Sequence, residues 1–196
     1  MAKKTTNPCS QSSSTVHPVQ LSNIISVVQL RQQLEQKSLT NIDQKPGVYR
    51  WWFPKKEKDR ILGLIGGQKL ISQLNLQERQ IGRKKYYALY VGESGDLNQR
   101  IQDHVKGPFS NSIFRRRLRA ILAQGSSASR ASEIVDSCID TCYWEWDYTI
   151  SKQAAENIEK GELCQENIAY PLNIKNNRAV PPEWLANLER LIEKKK

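Results

Sequence analysis

Short aromatic and β-branched runs alternate along this chain with longer stretches whose apolar residues recur at helical spacing. Two of the runs, 46–53 and 86–92, are bounded by Pro or Gly and read as strands. A third, 142–150, alternates apolar and polar side chains in the manner of a half-buried strand. Helical spacing is predicted over 21–36, through Ile24, Ile25, Val28 and Leu34, with Ser22 as N-cap. Between the first two strands, 54–85 is too apolar for a plain loop and is predicted to hold one or two helices broken at Gly66-Gly67. After the second strand, Ser94-Gly95-Asp96 opens a helix that runs to Val105 and is broken by Gly107-Pro108. A further helix spans 112–123, with Phe114, Leu118, Ile121 and Leu122 on one face. A Ser-rich linker over 126–129, a short helix over 133–140 and a helix capped by Ser151 follow. Pro171-Leu172-Asn173-Ile174 closes the domain, and a last helix over 182–194 packs through Trp184, Leu185, Leu188 and Leu191. This order predicts an α+β fold, a small central antiparallel or mixed sheet flanked by helices. The organisation expected is a flexible tail over 1–20, a helix within 21–45, a domain over 46–177 and a C-terminal helix over 178–196.

Charge sharpens the picture. Among 196 residues, 30 Lys and Arg stand against 20 Asp and Glu, a formal net charge of +10. Such an excess points to a polyanionic partner, because phosphate neutralisation supplies most sequence-independent affinity for nucleic acid. No apolar run approaches the ~18 residues that span a bilayer, and the N-terminus lacks the apolar core of a secretory signal, so no membrane partner and a cytoplasmic location are expected. Cys9, Cys138, Cys142 and Cys164 form no CxxC pair, and only His17 and His104 could join them, so no zinc site is expected.

The two aromatic strands carry a pattern. Gly47-Val48-Tyr49 lies in the first and Tyr90-Val91-Gly92 in the second, and Arg100 follows eight positions after Gly92. As an ordered set these residues resemble the GIY-YIG nuclease family, with Val in place of Ile at Val48 and Val91 and a long insertion between the triplets. The resemblance covers 46–173. It implies a metal-dependent endonuclease in which Tyr49 activates or holds the attacking water, Tyr90 assists, and Arg100 stabilises the charged transition state. His104, four residues after Arg100 and on the same helix face, matches a histidine found in restriction-type members. Family members also carry a metal-binding glutamate on a late helix. Its apolar neighbours favour Glu159, while its distance from Pro171 favours Glu162. Gly47 and Gly92 would shape the site, and Asn173 matches a terminal asparagine that helps to order it.

Chemistry agrees with these assignments. Phosphodiester hydrolysis needs a proton acceptor, a cation against the charge developing on phosphorus, and usually a carboxylate-held divalent metal. An ordinary tyrosine, with a pKa near ~10, needs a metal or cation nearby to act as base. A single carboxylate suits a hard, water-rich ion, Mg²⁺ or Mn²⁺. The basic helix with Arg115, Arg116, Arg117 and Arg119 is expected to turn several arginines toward duplex phosphates, and Lys84 and Lys85 are candidates to contact phosphate or shift the tyrosines. DNA is the expected substrate, with RNA open because nothing here reads a ribose 2′-OH. Cutting both strands would need a homodimer or two events. A restriction or defence role is favoured over repair. The alternatives are a non-catalytic DNA-binding protein on a decayed nuclease fold and an RNA-processing nuclease.

Overall fold

A computed structural model describes residues 21–36, 39 and 42–193. The expected tail over 1–20 and the final Lys194-Lys195-Lys196 lie outside the described residues. A five-stranded sheet in the order β1-β5-β2-β4-β3 is antiparallel throughout. Its strands are β1 (Asn23–Ser26), β2 (Gly47–Pro54), β3 (Glu78–Ile81), β4 (Lys84–Ser94) and β5 (Tyr143–Tyr148). The helices are α1 (Val27–Glu35), α2 (Lys55–Ile65), α3 (Gln68–Ile71), α4 (Leu97–Val105), α5 (Ile113–Leu122), α6 (Ala128–Ile139), α7 (Lys152–Leu163) and α8 (Pro182–Glu193), with one 3-10 turn at Phe109–Asn111. The architecture is α+β, as the order of elements predicts.

β2 is the central strand, covered on both faces, which explains its near-continuous apolar sequence. Tyr49, Trp51 and Phe53 enter the main core with Leu97, Ile101, Phe114, Leu118 and Trp184. Their alternates serve the other face, where Trp52 packs with Val91, Leu163 and Tyr170, and Val48 packs with Ala155 of α7. Arg50 lies on that second face and is 1 % exposed. Its Nε donates to Glu162 Oε2 at 3.0 Å and its Nη1 to Glu145 Oε2 at 3.2 Å, while Nη2 closes a second bond to Glu162. Tyr170 donates its hydroxyl to Glu162 Oε2 at 2.6 Å, and Trp52 Nε1 donates to Glu145 at 2.9 Å. A buried cation is tolerated there because two carboxylates face it and the remaining lone pairs have donors.

Four local expectations change. The first predicted helix splits: Asn23–Ser26 is a strand paired with β5, and the helix begins only at Val27. Ser26, not Ser22, is the N-cap, in a capping box with Gln29. Ser22 instead donates to Asp147 at 3.1 Å. The open edge of β5 takes up β-branched Ile24 and Ile25, so tertiary pairing overrides a weak helical pattern. The insertion contains the two expected helices, broken at Gly66-Gly67, and also β3, a short polar edge strand. Gly82, at a φ of 59°, makes the tight turn from β3 to β4. Finally, α6 starts five residues before the predicted Glu133, within the supposed linker, because Ser127 caps it by accepting the Arg130 amide.

The buried ion cluster generates a prediction. Replacing Glu162 by Ala leaves Arg50 facing an uncompensated cavity, a loss of about 3–5 kcal/mol, read as a large fall in denaturation midpoint. Glu159→Ala, on the same helix but in no ion pair among the described residues, should cause no such loss of stability.

Candidate nuclease site

The two triplets meet across β2 and β4. Tyr49 pairs with Gly92 and Trp51 with Tyr90, which brings both tyrosines to one face with ring centroids 6.3 Å apart. A Cβ at Gly92 would lie 2.5 Å from both Cζ and the hydroxyl oxygen of Tyr49, so the phenol crosses β4 where no side chain stands. At Gly47 a Cβ would meet the Asp147 carbonyl at 2.2 Å and Leu97 Cδ1 at 2.4 Å, so this glycine lets β5 and α4 close on the start of β2.

α4 delivers the next groups. Asp96 caps it by accepting the Gln99 amide at 2.9 Å, and Arg100 and His104 follow one turn apart. His104 is 1 % exposed, with Nε2 at 2.9 Å from the Tyr49 hydroxyl and Nδ1 at 2.7 Å from Ser112 Oγ. Ser112 caps α5, its Oγ already accepting the Arg115 amide at 3.0 Å. When its own proton goes to Nδ1, the remaining imidazole proton sits on Nε2 and His104 is the donor to Tyr49; in the other tautomer Tyr49 donates to Nε2 and Nδ1 to Ser112. Burial, then Arg100 and Arg115, hold His104 well below the usual histidine range, so the ring is neutral. Burial, then Tyr90, push the Tyr49 phenol well above 10, with Arg100 opposing. Tyr90 is raised by burial and restrained first by Arg117. Tyr49 thus rests as a neutral phenol hydrogen-bonded to His104.

Glu159 of α7 acts electrostatically on both tyrosines. Burial, then the Glu93 carboxylate, raise its pKa to about 7. Among the described residues, buried Glu93 Oε2 finds no hydrogen-bond donor and buried Arg100 Nε no acceptor. An unanswered donor and an unanswered acceptor in one site are what a pocket built around a ligand leaves when its ligand is not counted. Two mutually repelling carboxylates offer only oxygen ligands, a donor set suited to Mg²⁺ or Mn²⁺. No group of three or more His, Cys, Asp or Glu among the described residues forms a metal cage. Such an ion would therefore take most of its ligands from water and substrate.

Asn173 lies beside β4. Its side chain accepts from the Val91 amide at 3.0 Å and donates to the Val91 carbonyl at 2.8 Å, standing in for a neighbouring strand. The Leu172 amide bonds the Leu89 carbonyl at 2.9 Å. The segment from Tyr170 to Asn173 thereby covers the upper edge of β4, where β3 has already ended.

Several expected residues fall elsewhere. Glu162, the alternative metal ligand, is 2 % exposed and fully engaged by Arg50 and Tyr170, so it is a structural anion. Arg115 is 2 % exposed and bound to Asp136 at 2.7 Å and to the carbonyls of His104 and Val105, so it cannot contact a duplex. Arg116 is exposed, and Arg119 lies over the Phe109 ring at 5.0 Å. Lys84 and Lys85 begin β4, about 17–20 Å of strand from Tyr90 at ~3.3 Å per residue, and Lys85 is paired with Glu78 at 3.0 Å. Ser112 and Glu93 were not singled out in the sequence. Ser112 carried only a capping signal, whereas Glu93 directly follows the second triplet and its position alone could have marked it.

A sheet that presents two tyrosines, an arginine and a glutamate at one edge defines a nuclease-type catalytic domain. The model of the GIY-YIG catalytic domain matches residues 47–194, and the chain belongs to that family. Neither a curated protein nor a solved structure matches the chain significantly.

The raised carboxyl sets a pH test. The folded protein holds the Glu159 proton up to about pH 7, whereas the unfolded chain releases it near ~4.3, so its contribution to stability falls as pH rises between those values. Glu159→Gln should therefore gain melting temperature over the wild type as pH goes from 5 to 8. At pH 8, Mg²⁺ should raise the wild-type melting temperature and leave that of Glu159→Gln unchanged. A gap that stays constant with pH would contradict the assignment.

Proposed function

We propose that the chain is a metal-dependent endonuclease that hydrolyses DNA phosphodiester bonds. The observation that carries this reading is the Tyr49 hydroxyl, held by neutral His104 on one side and beside Tyr90 on the other, within the field of Arg100 and Glu159. The substrate phosphate binds against Arg100, whose charge persists at any working pH and whose buried Nε lacks an acceptor among the described residues. Water is oriented by the Tyr49 oxygen for in-line attack, and the Ser112–His104–Tyr49 hydrogen-bond chain keeps that oxygen fixed. Arg100 then neutralises the charge that builds on the non-bridging oxygens. Held by Glu159 with Glu93 beside it, a divalent cation would supply Lewis-acid stabilisation of the phosphate and the leaving oxygen. The neighbouring carboxylates suit that ion better than they suit each other.

The histidine in contact with Tyr49 supports the restriction-type resemblance and with it a restriction or defence role. One such site cuts one strand, so double-strand scission takes two protomers or two successive events. Exposed Arg116 of α5 supplies a duplex contact.

Supercoiled plasmid incubated with Mg²⁺ should be nicked by the wild type, and EDTA should stop it. Arg100→Ala and Glu159→Ala should each slow cleavage by about 10²–10³-fold while remaining folded. Salt-sensitive binding without cutting under any divalent ion would replace this reading with that of a binding protein.

A further inference from the structure

The arginines of α5 have four different fates. Arg115 is buried against Asp136, Arg116 is exposed, Arg119 covers Phe109, and Arg117 turns to the tyrosine site. The Arg117 guanidinium carbon lies 5.9 Å from the centroid of the Tyr90 ring, and its Nη1 donates to the Leu172 carbonyl at 2.6 Å. That carbonyl is itself fixed. It belongs to the segment that Asn173 clamps to Val91, and the flanking carbonyls of Tyr170 and Pro171 accept from Asn177 Nδ2 at 2.6 Å and Trp184 Nε1 at 3.0 Å.

We propose that Arg117 is a second phosphate-binding catalytic residue of this site, contacting a non-bridging oxygen of the scissile phosphate together with Arg100. The proposal rests on the nuclease reading above. A guanidinium presents five donors, and the hydrogen bond that Arg117 makes to Leu172 goes to a neutral carbonyl that leaves its charge intact. Among the described residues it forms no ion pair, in contrast to Arg115. Its position also divides the labour with Arg100. Of the two cations, Arg117 bears more strongly on the Tyr90 phenol, while Arg100 bears on both Tyr49 and Tyr90. The two guanidiniums thus flank the tyrosine pair, and a phosphate over that pair would meet both. Holding an arginine by a carbonyl on a clamped segment fixes its fork without neutralising it, which is what preorganised charge stabilisation requires. Asn173 then matters beyond the edge of β4, because it fixes the carbonyl that aims Arg117.

The test separates catalysis from duplex binding. Single-turnover cleavage of supercoiled plasmid with Mg²⁺ at saturating enzyme is compared with duplex affinity in EDTA, for the wild type, Arg117→Ala, Arg117→Lys and Arg116→Ala. Arg117→Ala should slow cleavage about 100-fold or more with affinity changed less than about threefold. Arg117→Lys, which keeps the charge but not the fork, should recover part of that loss and guards against a folding defect in the alanine variant. Arg116→Ala, on the exposed side of the helix, should weaken binding. Saturated cleavage by Arg117→Ala within about twofold of the wild type, or equal loss in Arg117→Ala and Arg117→Lys with a lowered melting temperature in both, would overturn the proposal. A wild type that cuts no substrate would instead remove the nuclease reading, and the role of Arg117 with it.

Discussion

The register between β2 and β4 governs everything around the site. Tyr49 opposite Gly92 and Tyr90 opposite Trp51 put both phenols on the face that α4 and α5 cover. A slip of β2 by one residue would send Tyr49 to the α7 face, away from Tyr90, and bring Arg50 into the apolar core, because side chains alternate with period two. Two features oppose that slip. On one side Tyr49 fits only over a residue without a Cβ. On the other, Arg50 is locked between Glu145 of β5 and Glu162 of α7. The ion cluster is therefore remote from the chemistry yet fixes which residues face it. Its energetic worth as a stabiliser is modest by the general behaviour of buried pairs, but its worth as a register lock is high.

The site is assembled at the boundary between two layers. Arg100, His104 and Arg117 come from the helices on one face, and Glu159 comes from α7 on the other. They can act on the same tyrosines because β4 has an open upper edge there, closed only by the segment through Asn173. This explains why the terminal asparagine lies so far along the chain from the triplets and still belongs to the site. It also explains the electrostatics. The tyrosines and histidine are neutral because they are buried.

Much of this was legible in the sequence for identifiable reasons. The two aromatic strands, the helix carrying Arg100 and His104, and the helix capped by Ser151 are set by local pattern and capping chemistry, and each forms where that pattern places it. Strand β1 and Ser26 as cap were not legible, since the pairing that creates them depends on an edge of β5 well over a hundred residues away in sequence. The choice between Glu159 and Glu162 was undecidable by spacing, because both lie on α7 within one turn. What separates them is which one meets Arg50, a fact of packing across the sheet. The run of arginines misled in a similar way. Periodicity can say that a helix has a basic side, but only the neighbours Asp136, Phe109 and Leu172 decide which guanidinium is structural and which remains available.

The neutrality of Tyr49 constrains how the water can be activated. A phenol raised above its ordinary value by burial is a poor resting base. Its proton becomes easier to lose only when positive charge arrives nearby, and the sources on this chain are Arg100 and Arg117, both at the rim. In the tautomer with the proton on Nε2, His104 donates to Tyr49 and takes no proton from it, while Nδ1 accepts from Ser112. In the proposed mechanism, Tyr49 takes the water proton as it passes its own to the leaving oxygen on the substrate side, because Tyr90 is itself a neutral buried phenol, and the buried histidine holds the phenol oxygen in place.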